Sequence, residues 1–152
     1  MKTESPQGSS GLCGLLEEKL GKLREFFSVT ESLYQQLMEN NTGGWSQSLA
    51  RRQNLIPSLD EIDRRIGKRQ KENPLHLEPI PETLKERLEF LFKTIEGLLQ
   101  KSADLNHQCL ARVQFLREET KKELLAMRQG KKAAHSYTQR AGSRPRFMDV
   151  RE

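Results

Sequence analysis

Leucine recurs at steps of three and four along the chain: Leu12, Leu15, Leu16, Leu20 and Leu23, then Leu33 and Leu37. An α-helix turns once in about 3.6 residues, so this spacing gathers apolar side chains on one side and leaves the rest to water. A chain written this way folds by laying helices together along their stripes. The composition agrees. Only six Phe, two Tyr and one Trp stand beside a charged fraction of 31%, too little bulk for a thick mixed core and enough for narrow helical seams. The expected fold is all-α, an elongated antiparallel three-helix bundle or coiled coil with a disordered N-terminus and tail.

Residues 1–10 are polar and carry Pro6 and Gly8, which predicts disorder. A first helix is expected over about 12–39, weakened by Gly14 and Gly21 and stopped by the turn chemistry of Asn-Asn-Thr-Gly-Gly at 40–44. A second is expected over about 45–71, with Trp45 as an anchor at its start. Leu49, Leu55, Ile56, Leu59, Ile62 and Ile66 line it, and their spacing carries through Pro57, so the helix kinks there rather than splitting. KENPLHLEPIPE at 71–82 packs three prolines into eight residues and reads as an extended connector. A third helix is expected over about 81–129. Thr83 and Glu86 suit a capping box, and Gly130 suits a C-cap. Residues 11–130 then form the helical domain, and 131–152 a flexible basic tail. A helix over 81–129 is about 70 Å long at 1.5 Å per residue, so it must overhang its partners or bend near Ser102, where the seam expects an apolar residue. Phe26 and Phe27 are adjacent and cannot both face one seam.

The charge is lopsided. From Arg128 onward there are seven Lys/Arg against two acids, which accounts for the whole net charge of +5 and leaves the first 127 residues balanced. A body that sums to zero argues against a whole-domain nucleic-acid face. The longest apolar runs fall far short of a membrane span, and the start has no signal-peptide core. Cys13 and Cys109 form no CxxC pair, which favours reduced thiols in a cytoplasmic setting.

Nothing in the sequence spells out a catalytic site. His76, His107 and His135 are isolated and fit no metal spacing. Acidic pairs such as Glu118/Glu119 sit among basic neighbours, as in Asp60–Arg64 and Glu118–Lys122, and read as solvated helix faces. Phosphate-binding glycine loops and nucleophile elbows are absent. The expectation is a non-enzymatic protein with no cofactor, no metal, no small-molecule substrate and no membrane insertion. The tail keeps Tyr137, Phe147 and Met148 among its basic residues, which fits a short linear motif steered to an acidic surface or, failing that, an arm for phosphate.

The segment LARRQNLIPSLDEIDRRI, residues 49–66, resembles bacterial flagellar export chaperones of the FlgN type, with FliT-type chaperones close in style. A leucine-rich first helix is followed in them by a basic pair and the pattern R-x-x-L-I-x-x-L-x-x-I-D. Arg52, Leu55, Ile56, Leu59, Ile62 and Asp63 stand in those places. Tyr137 with Gly142 in a loose tail looks like the FlgN ending, and PRFMDVRE is similar to R-F-[LM]-D endings.

The resemblance implies a chaperone that binds the C-terminal helices of hook-associated (hook–filament junction) proteins, or of the filament cap for the FliT type. Such a chaperone prevents premature assembly and delivers its client to the export gate. By match, Tyr137 docks on the gate. The client's amphipathic helix needs an exposed apolar stripe, expected at Leu105, Val113, Leu116, Leu124 and Met127. Two other readings compete: a self-associating coiled-coil protein that uses the same stripe, and a helical nucleic-acid-binding protein that acts through its tail.

Overall fold

The computed structural model describes residues 7–74 and 79–142. Among them there are three α-helices, α1 Gln7–Met38, α2 Thr42–Glu72 and α3 Glu82–Gly142, and no strand. The chain divides into two compact units, residues 1–112 and 113–152, and α3 contributes to both.

The first unit is a three-helix bundle. At one level, Glu17 meets Arg87 at 2.8 Å, Glu18 meets Arg65 at 3.3 Å and Lys19 meets Asp63 at 2.6 Å. At the other end, Arg112 donates to the carbonyl of Leu37, and Ser48 donates to Gln36. These pairs make α2 antiparallel to α1 and make α3 run alongside α1. Between them lies a core of Leu12, Cys13, Leu16, Leu20 and Leu23 from α1 with Leu88, Leu91 and Ile95 from α3, flanked by Leu59 and Ile66 of α2. The α1 stripe read from the leucine spacing is therefore the buried face. It also holds Val29 and Thr30, which are 3% and 0% exposed. Thr30 satisfies its hydroxyl by donating to the Phe26 carbonyl at 2.8 Å.

Several boundaries differ from those expected. Residues 7–10, expected to be disordered, belong to α1. α1 ends at Met38 and is closed off by Asn40, whose φ of 55° is left-handed. The amide of Asn41 reaches back to the Gln36 carbonyl at 2.9 Å, the six-to-one closure of a Schellman turn. Gly43 and Gly44 are helical, because Asn40 alone reverses the chain and the glycines are left to α2. α2 runs unbroken through Pro57 to Glu72, taking in the first residues of the expected connector. Leu75 and Leu77 of that connector lie outside the described residues, and Ile80 is half-buried.

α3 begins at Glu82, with the Pro81 carbonyl accepting from Leu84 and Lys85, both at 3.0 Å. Thr83 thus lies inside the first turn rather than at the cap. Gly130 does not end α3, and no glycine among the described residues has a positive φ. A helical glycine costs only about 1 kcal/mol, and Lys131, Lys132, Ala133 and Ala134 favour continuation. Residues 131–142, expected in a flexible tail, are helical, and 143–152 lie outside the described residues. Ser102 produces no break in α3. It is 6% exposed, one helical turn from Asn106, which accepts from Arg52 of α2 at 3.0 Å. The Ser102 hydroxyl itself has no hydrogen-bond partner among the described residues, so the helix carries the serine through the seam without a polar contact to it.

Candidate protein-docking face

The second unit is described by α3 residues 113–142. Val113, Leu116, Leu124 and Met127 fall on one face at steps of three, eight and three, within about 80° of one another at 100° per residue. Leu116 is half-buried and the others are 45%, 51% and 64% exposed. Thr120 completes the face and donates to the Leu116 carbonyl at 2.9 Å. Leu105, expected with this group, belongs to the first unit. There it lines a hollow of about 470 Å³ with Tyr34, Met38, Glu31, Gln35 and Glu39. The expected stripe is thus divided between two units, four residues in one and Leu105 in the other.

Tyr137 is 79% exposed and helical rather than in a loose tail. Lys131, Lys132, Ala133 and Ala134 precede it, and Thr138 donates to the Ala134 carbonyl at 2.7 Å. It lies ten residues beyond Met127, about 80° further round the helix, so it stands beside the apolar face and not on it. The spacing of the stripe also missed Leu110, Phe115 and Leu125, which are 52%, 52% and 56% exposed. They fall off the seam, and only an inventory of large apolar residues at expected polar positions would have flagged them. In the first unit, Phe92 and Leu99, seven apart, frame an open hollow of about 530 Å³ with Ile95, Glu96, Gln100 and Ala103.

Charge organises the second unit as well. Glu118 pairs with Lys121 and Glu119 with Lys122, both at 3.5 Å and three residues apart. The expected four-residue pairing of Glu118 with Lys122 is replaced by these, as Asp60–Arg64 is by Glu61–Arg64 at 2.7 Å. The Arg64 hydrogen bond holds the Glu61 carboxyl below its ordinary range. Beyond Glu123, α3 carries Arg128, Lys131, Lys132 and Arg140 and no acid.

The chemistry of the remaining polar groups is quiet. Burial pushes both the Cys13 and Cys109 thiols up; Glu17 adds to the Cys13 shift and Arg87 opposes it, while Arg52 opposes the Cys109 shift. A raised thiol pKa leaves little thiolate, the nucleophilic and metal-binding form. No group of three or more His, Cys, Asp or Glu among the described residues could hold a metal ion. His107 is exposed and His135 lies 3.1 Å from Gln139, while His76 lies outside the described residues. No helix among the described residues is long and apolar enough to cross a membrane.

No family model, curated protein or solved structure matches the chain.

Proposed function

We propose that this protein is a non-enzymatic helix-binding chaperone of the cytoplasm, acting in flagellar export in the manner of FlgN-type chaperones. Its clients are the C-terminal helices of hook-associated proteins, which it keeps from assembling early and passes to the export gate. The observation that carries the reading is the solvent-facing apolar set Val113, Leu116, Leu124 and Met127. An exposed apolar helix face in a charged chain fits a partner that brings its own amphipathic helix. The motif at residues 49–66 points the same way, as does Tyr137 at the end of α3, where it serves as the gate anchor.

The test is binding of a hook-associated C-terminal peptide to the full chain and to the double variant Leu116→Asp, Leu124→Asp. Loss of about 100-fold in affinity with unchanged helicity is expected, since two charges are set into an apolar seam. Equal affinity removes the docking face from these residues. In the same assay Tyr137→Ala leaves client affinity unchanged and lowers delivery to the gate.

A further inference from the structure

One edge of the apolar face in the second unit is basic throughout. Arg117, Lys121, Arg128 and Lys132 follow at steps of four, seven and four, which places them in a single row along the helix. All four are exposed. Among the described residues, Arg117, Arg128 and Lys132 have no ion-pair partner, and Lys121 has only the exposed Glu118. The opposite edge carries Glu119 and Glu123, and beyond them Gly130 and Tyr137. The two margins of the apolar seam therefore differ in sign, and from residue 124 onward only one is charged.

We infer that this face takes an acidic amphipathic helix, its carboxylates aligned on one side only, along Arg117, Lys121, Arg128 and Lys132. The inference rests on the chaperone reading and specifies the class of its client. Charges that flank an apolar helical seam select the partner and its direction. A second copy of this chain fits poorly, because residues 113–142 carry seven Lys/Arg against three acids. Two such faces bring matched charges together only around Glu119 and Glu123. Nucleic acid would answer the basic row but leave Leu124 and Met127 in water. An anionic membrane asks for a broader apolar face than these four side chains give. With the acidic margin on the basic edge, the Tyr137 edge stays uncovered while a client is bound, so client and gate take adjacent strips of one helix.

The experiment uses the full chain and three synthetic amphipathic helices of about 20 residues, identical in their leucine seam, with Glu, Gln or Lys along one edge. Fluorescence anisotropy should show the Glu-edge helix binding about tenfold more tightly than the Gln-edge one, with the Lys-edge helix weakest. The difference should fade as salt rises to about 0.5 M. The variant Arg117→Glu, Arg128→Glu, Lys132→Glu, checked for helicity by circular dichroism, should reverse the order and prefer the Lys-edge helix. Equal affinity for the Glu and Gln helices overturns the inference. If Leu116→Asp, Leu124→Asp still abolishes both, the chaperone reading survives it. Failure of all three helices to bind overturns both. Capture of phosphatidylserine vesicles or single-stranded RNA in place of the Glu-edge helix assigns the basic row elsewhere and overturns the inference.

Discussion

Gly14 and Gly21 sit on the wet side of α1, and a methyl group added at either would meet nothing within 4 Å. Neither has a positive φ. Both therefore give away helix propensity without a structural return, and Gly14→Ala with Gly21→Ala should stabilise the protein by about 1–2 kcal/mol. A higher urea midpoint at unchanged slope is the expected reading. Gly44 is the contrast. A Cβ there would meet the Gln36 amide at 2.5–3.1 Å, and Gln36 is also the acceptor for Ser48. Glycine earns its place only where another side chain rests on the bare backbone. A sequence cannot tell these three positions apart, because all three are helical glycines and differ only in what lies over them.

Pro57 is exposed and lies inside α2, where it cannot donate to the Gln53 carbonyl one turn back. Leu55 and Ile62 on either side of it are buried, so packing across the interruption holds the helix in one piece. Pro57→Ala restores the missing hydrogen bond and should stabilise by about 1–3 kcal/mol, with helicity by circular dichroism unchanged or slightly higher. A loss of stability would mean that the proline ring itself contributes to the packing of α2. The elements were legible where leucine spacing was dense: Leu12 to Leu37 on α1, and Leu88, Leu91 and Ile95 on α3, are buried as their periodicity requires. Their ends were less legible. Turn residues are permissive signals, and at Gly130 the good helix formers that follow outweigh one glycine. At 40–44, one asparagine suffices to turn the chain. The candidate docking face was legible as periodicity, but the division that places Leu105 apart from the other four is tertiary and leaves no mark on the spacing.

For the molecule as a whole, residues 131–139 are exposed at every position. Deleting residues 131–152 should therefore leave the melting midpoint within about 2 °C of the full chain, although it removes six of the seven Lys/Arg that follow residue 127. A calorimetric scan decides this, and a fall of ten degrees would place the segment against the bundle. The bundle itself is not uniform from end to end. Around Leu12 to Leu23 its interior is leucine and cysteine, locked in register by Glu17, Glu18 and Lys19 reaching across to both neighbours.

Further along, polar side chains join the interior: Thr30, Ser48, Arg52 and Ser102 lie among Val29, Leu33, Leu37 and Leu55, and the Ser102 hydroxyl, the Arg52 Nε and the Trp45 indole nitrogen are buried with no hydrogen-bond partner among the described residues. A buried donor left without a partner costs about 1–3 kcal/mol. Transient opening should therefore start at this level, and a hydrogen-exchange measurement is expected to show amide protons there exchanging ahead of those around Leu12 to Leu23.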